Sequence, residues 1–437
     1  MAYGKVTVPD FAPASRSHSA SKDNRRISKR IVSVAVALIF SLSACSMMSP
    51  IKHLFNRDAT SKGSIVAVRI SPQLSDIAWG AKEGYVLLSR DDGSSVVIDA
   101  GSMDVGQLFW GEDGLFFGGP DEEYQLTDAG LTSLKRGSNQ VYETTRFSNP
   151  ERKEYISIYN AGFAEDGYRN QVVVNLGGKL QTWESSGRFA SIAQCGEKIV
   201  GITDSEDLFP SVRLTLDSPN ESDVLLQLYP KPKDPAASVL AEYHRDGGSP
   251  IEHAMRYMPC VKDTVYVLGI QDSISHADSE VEIPVLLTWN INSGDRKVLP
   301  LVSPNGKRIE LNLDDISGVE GHLSSDRSQY RWVSSIDGKV RSVDLSAGVT
   351  SELFRVALSY PARGDSQFIF TEHSIFVLDV NKERDPMIFS RYDLETGEHQ
   401  KFFEIKGVPS INRFLMGRNE IRDMAINPAW LAAHDKK

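Results

Sequence analysis

From Ser64 onward the chain is patterned as short apolar runs of four to eight residues, broken by Gly, Asp, Asn and Ser. The runs at 64–70 (SIVAVRI), 85–89 (YVLLS), 95–100 (SVVIDA), 171–176 (QVVVNL), 284–290 (PVLLTWN), 330–335 (YRWVSS), 367–372 (QFIFTE) and 374–380 (SIFVLDV) are rich in β-branched and aromatic residues, often in alternation. Alternation sends successive side chains to opposite faces of a pleated strand, so each run predicts a strand. Asp92-Gly93, Asp113-Gly114, Asp166-Gly167 and Asp337-Gly338 predict the turns between them. Helical candidates are confined to 236–244 (AASVLAEYH) and 428–434 (PAWLAAH). The pattern is that of an all-β chain.

One hairpin signature recurs: a strand ending in Asp or Asn, two or three residues with a small polar one, Gly, then a second strand. It runs from Trp289 to Gly294, Val343 to Gly348 and Tyr392 to Gly397, with weaker copies from Leu126 to Gly130 and Val174 to Gly178. The side chain caps the turn and Gly takes the positive φ that closes it. A recurrence every ~40–50 residues is the period of a four-stranded propeller blade. The motifs resemble the outer hairpins of WD40-like and YVTN-like bacterial β-propellers over most of 64–427, although neither a Trp-Asp nor a Tyr-Val-Thr-Asn repeat is present.

The expected fold is therefore a β-propeller of four-stranded blades, seven in number with six to eight admitted; tandem β-sandwiches are the alternative. Innermost strands are expected to begin near Asp76, Gln107, Tyr155, Ala190, Ala254, Gly321, Gln367 and Ile411. Residues 64–70 are expected to pair with the C-terminal strands, shutting the ring and removing a free sheet edge.

Ahead of this domain, Arg25, Arg26, Lys29 and Arg30 precede a run at 31–42 that is apolar except for Ser33 and Ser41, followed by Leu42-Ser43-Ala44-Cys45. The run is shorter than the ~20 residues a membrane span needs, and its layout is that of a secretory signal peptide. The tetrapeptide resembles the lipobox of bacterial lipoproteins. That resemblance implies cleavage between Ala44 and Cys45 and attachment of diacylglycerol and palmitate-type chains to Cys45; plain secretion, with Cys45 incidental, is the alternative. The expected organisation is a leader and signal peptide (1–44), a lipidated cysteine and spacer (45–63), a propeller (64–427) and a tail (428–437). The expected address is the extracytoplasmic face of the cell membrane, with membrane lipid as partner through Cys45.

Charge narrows the choice of partners. Residues 45–437 carry a net charge of −15, more acidic than the whole chain because the leader is basic. Such a surface repels phosphate backbones and anionic headgroups, which argues against nucleic acid and makes attachment a matter of lipid rather than electrostatics. Apart from Cys45 only Cys195 and Cys260 are present, an even pair for an oxidising compartment. Each borders a tight polar turn, making them a candidate disulfide between successive blades, with two buried thiols as the alternative.

Catalytic signatures are missing: the sequence has no His-Glu-x-x-His, Gly-x-Ser-x-Gly, Gly-x-x-x-x-Gly-Lys or Asp-x-Asp-x-Asp-Gly motif. No cofactor and no metal is expected. Polar insertions at 230–250 and 271–281 are candidate binding loops, and His244, His253 and His276 fall in or beside them. The doublets Glu122-Glu123, Glu206-Asp207 and Asp314-Asp315 are candidate carboxylate pairs, for which solvated faces are the plainer reading. Trp79, Trp110, Trp183, Trp289 and Trp332 are expected to pack between blades. The expected function is non-enzymatic binding or scaffolding in the cell envelope, against an envelope protein or a cell-wall component. The alternative is a glycan-active hydrolase or lyase at the propeller mouth.

Overall fold

A computed structural model describes residues 51–435, apart from Phe55, Pro150, Pro235, 246–250, Ala254, Arg256, 274–280, 317–320, 362–364 and 409–418. Its strands assemble into seven separate sheets, each with an antiparallel four-stranded core. Six are built from consecutive strands. Blade 2 comprises Leu108–Gly111, Gly114–Gly118, Glu122–Thr127 and Gly130–Lys135; blade 3, Glu143–Asn149, Glu154–Ala164, Gly167–Leu176 and Leu180–Ser186. Blade 4 holds Ser191–Cys195, Lys198–Asp204, Ser222–Tyr229 and Val239–His244; blade 5, Cys260–Val261, Thr264–Ser273, Val281–Asn290 and Arg296–Pro300. Blade 6 is Gly321–Leu323, Gln329–Val333, Lys339–Asp344 and Thr350–Arg355, and blade 7 is Gln367–Phe370, Ser374–Val380, Met387–Asp393 and His399–Ile405.

Blade 1 is composite. Val66–Pro72, Tyr85–Ser89 and Ser95–Asp99 come from the start of the domain, and Asn419–Ile426 from its end supplies the innermost strand, with Val66 opposite Ile426. First strands of neighbouring blades adjoin one another around the ring, whereas fourth strands such as Gly130–Lys135 and Thr350–Arg355 are largely exposed. The chain is a seven-bladed β-propeller.

Because strands alternate in direction, connections sort onto two faces. First-to-second and third-to-fourth turns emerge on one, here the lower face; second-to-third connections and blade-to-blade crossovers emerge on the upper. All five recurrent hairpin motifs are third-to-fourth turns. Asp344 Oδ1 accepts from the N–H of Ser346 (2.8 Å) and Ala347 (2.9 Å), Asp393 Oδ1 does the same for Glu395 (2.9 Å) and Thr396 (2.8 Å), and Gly348 and Gly397 sit at φ 68° and 71°.

Apolar side chains fill the seams between sheets. Trp289 and Trp332 are fully buried in one cluster spanning blades 4 to 6, and a second cluster joins blades 7 and 1 through Phe376, Phe389, Met387 and Ile421. The seam beside blades 2 and 3 is ionic instead. Glu123 receives Arg136 at 3.1 Å and Arg146 at 2.9 Å, Arg146 reaches Glu143 at 2.7 Å, and the Tyr159 hydroxyl donates to Glu123.

Several sequence expectations need correcting. Asp76 lies in a short helix, Leu74–Ala78, on an upper connection of blade 1. Tyr155 belongs to the second strand of blade 3, whose first strand begins at Glu143; that inner strand (ETTRFSN) places Glu143 and Arg146 in the ionic seam and so lacks an apolar signature. The 236–244 segment forms one 3-10 turn, Ala236–Ser238, and then the strand Val239–His244, because the edge of Ser222–Tyr229 offers backbone partners that an isolated helix would not have. Within the expected spacer, Ile51–His53 pairs parallel with Ser95–Val97 and Ala59 is fully buried. The helix expected at 428–434 is present as Pro428–His434, capped by Asn427, and it packs on the propeller through Trp430 against Phe376, Phe389 and Phe402.

Candidate functional site: the central channel

First strands converge on the ring axis, and their lower ends enclose a cavity of about 860 Å³. Phe147 and Gln194 reach it from blades 3 and 4, His322 and Leu323 from blade 6, and Glu372 from the first turn of blade 7; Ser324, Ser325 and Arg327 rim it from the first turn of blade 6.

One wall comes from an addition to the blade plan. Between blades 4 and 5, Tyr257–Met258 forms an extra strand on the axial edge of blade 4, parallel to Ile192–Ala193. The Tyr257 ring stands edge-on to Phe147, centroids 5.6 Å apart, and its hydroxyl lies 3.5 Å from Gln107 Oε1 of blade 2. A side chain entering from blade 4 thus spans the channel toward blades 2 and 3. Two residues on, Cys260 is bonded to Cys195 with Cα atoms 5.4 Å apart. The expected disulfide is present, and it pins this axial segment to the lower end of the first strand of blade 4.

Upstream, His253 anchors the same segment. Its Nδ1 lies 2.9 Å from Ser191 Oγ. Burial, assisted by the Arg296 charge, lowers its pKa to about 4, so the ring is neutral at pH 7. A serine–histidine pair invites a nucleophile reading, but Ser191 has no exposed surface for a substrate to reach. The contact holds the crossover in place. At the cavity, His322 is also shifted down, by burial and then by the Arg331 charge, leaving a neutral ring able to donate and accept hydrogen bonds.

The predicted histidines do not form a cluster. His244 is on the exposed fourth strand of blade 4, opposite Ser222, while His253 contacts the first strand of that blade; three strand spacings amount to roughly 14 Å. His276 lies outside the described residues, as do Ala44 and Cys45. Among the described residues no group of three His, Cys, Asp or Glu is placed to hold a metal.

Nor do the acidic doublets face the cavity. Glu123 is engaged by two arginines, Asp315 contacts Ser334 and Arg341, and Asp207 lies on an upper connection of blade 4, its pKa raised by burial. Of the tryptophans, Trp79 departs from expectation: it follows a helical turn and is 93% exposed. Tyr257 was not singled out in the sequence, since two strand residues between polar loops give no periodic signal.

No protein-family model matches this chain, and no curated protein matches it. Among solved structures it is similar to a hypothetical selenium-binding protein from Sulfolobus tokodaii, at 9% identity over 83% of this chain and 93% of that one (TM-score 0.46). It is also similar to the periplasmic gluconolactonase of Pseudomonas aeruginosa (12% identity, 78% and 96% covered, TM-score 0.42). A third likeness is to the WD40 domain of Toxoplasma gondii coronin (11%, 81% and 82%, 0.42). Nothing chemical is carried over from them.

Proposed function

We propose that this protein is an extracytoplasmic propeller, lipid-anchored at Cys45, that binds a hydroxyl-rich cell-wall ligand at the lower mouth of its channel. The observation carrying this reading is the cavity wall. Phe147, Tyr257 and Tyr330 line it together with Gln194, His322, Ser324 and Arg327, which offer hydrogen-bonding groups. Its volume of about 860 Å³ falls within the range of ligand pockets. Sugar rings present apolar C–H faces between hydroxyls, so a wall that combines aromatic and polar groups complements them.

Binding is favoured over hydrolysis. Glycosidic cleavage employs two carboxyl groups flanking the bond, and the described lining contributes Glu372 alone. The neighbouring Asp326 is held in its own turn by Ser324 and Ser328.

The test is calorimetric titration of the full lipidated protein in detergent with soluble peptidoglycan oligosaccharides. Tyr257→Ala and His322→Ala are each expected to weaken binding about tenfold, which is about 1.4 kcal/mol, and the oligosaccharide is expected to be recovered intact. Absence of binding by the unmodified protein refutes the ligand class; release of cleaved sugar favours the hydrolase.

A further inference from the structure

The upper face differs from the lower in one respect that the channel does not explain. Eight large apolar side chains are conspicuously exposed among the described residues, and none projects from a lower-face turn. Six stand at upper connections: Leu74 and Trp79 on blade 1, Tyr142 on the crossover into blade 3, Phe163 on blade 3, Leu214 on blade 4 and Ile336 on blade 6. Trp79 is 93%, Leu214 80% and Phe163 70% exposed.

Local geometry displays these groups on ordered backbone. Trp79 and Leu214 each occupy the residue after a short helical turn, Leu74–Ala78 and Pro210–Arg213. The first of these turns is tied down: the Leu74 N–H donates to Asp104 Oδ1 (2.9 Å), which also receives Arg422 (3.1 Å). Holding a large side chain in water on a fixed backbone lowers the ordering cost of a later contact, and aromatic residues of this kind dominate protein interfaces.

Charge selects the occupant. The described second-to-third connections (73–84, 119–121, 165–166, 205–221, 334–338 and 381–386) contain twelve Asp and Glu against four Lys and Arg. Acidic groups interspersed with the apolar ones on the same connections repel anionic headgroups, nucleic acid and a second copy of the same face. The described chain also leaves this face clear of its ends. Ile51 pairs with Ser95 at the lower end of its strand, and the Pro428–His434 helix follows Ile426, likewise at the lower end.

We infer that the upper face is a docking surface for a protein whose contact region presents apolar and basic groups together. The inference is independent of what the channel mouth binds.

A photo-crosslinking residue, p-benzoylphenylalanine, placed at position 79 or 214 of the full chain in intact cells tests it, with position 197 on a lower turn as control. The expected result is one protein adduct from 79 and 214 and none from 197. Binding of that protein to the purified chain should then weaken with added salt, and at least tenfold in Trp79→Ser/Leu214→Ser. These positions are solvent-exposed, and circular dichroism checks that the variant is folded. Lipid adducts, adducts of the chain with itself, equal capture from position 197, no adduct, or an unchanged affinity in the double variant would each overturn it.

Discussion

Val66 and Ile426 face each other in one antiparallel ladder although they come from opposite ends of the propeller sequence. The pairing continues to Ile70 with Ile421, and this shared sheet is the clasp of the ring. Ending the chain after residue 418 removes the innermost strand of blade 1, together with Ile421, Met424 and Ile426 from the core shared with blade 7. It also bares the edge of Val66–Pro72 for intermolecular pairing. The truncated protein is expected to aggregate and to lose its cooperative thermal transition, checked by light scattering and calorimetry.

Cys195 and Cys260 close a loop with a sequence separation of 65. Cross-links of that length restrict the unfolded chain enough to contribute about 2–4 kcal/mol. Cys195→Ser/Cys260→Ser is expected to lose that amount in urea unfolding and to free the Tyr257–Met258 strand for faster hydrogen exchange. Unchanged exchange there would show that Tyr257 and His253 suffice to hold the segment.

Glu123 is 4% exposed and accepts from Arg136, Arg146 and Tyr159. Glu123→Gln preserves shape but leaves two buried guanidinium groups undercompensated, a change costing about 3–5 kcal/mol. Glu197→Gln, on an exposed turn, is expected to stay within about 0.5 kcal/mol. Denaturant midpoints of the two variants decide the matter.

His253 carries a pH dependence whose sign follows from its shift. Its folded pKa of about 4 lies below the unfolded value of 6.5, so between these values the unfolded chain binds more protons. Stability from this group is present above pH 6.5, falls as the pH is lowered toward 4, and changes no further below that. The full loss is about 3 kcal/mol. His253→Gln is expected to flatten the melting temperature against pH over that window; parallel profiles for the two proteins would contradict the assignment.

Legibility tracked locality. The hairpins at Asn290, Asp344 and Asp393 could be read directly because a capping side chain and a glycine are contiguous in sequence. First strands were harder. Glu143–Asn149 places Glu143 and Arg146 in an ionic seam, so its pattern is polar and the apolar signal of blade 3 starts at Tyr155, in the second strand. The outer strand Val239–His244 read as a helix because Ala and Leu favour helices in isolation, and only the waiting edge of Ser222–Tyr229 makes it a strand. Trp79 was assigned to a seam on residue type alone, since exposure of an aromatic side chain depends on what packs over it.

Fold class and repeat period are legible along the chain, because turn chemistry and strand alternation act between near neighbours; the pairing of 64–70 with the C-terminal strands follows instead from the need to cover a free sheet edge. Tertiary structure alone decided which residues meet at the axis. Tyr257 approaches Gln107, and His244 parts from His253, through the cyclic arrangement of seven sheets. Closing a ring brings distant segments together by geometry, and no spacing along the chain encodes that.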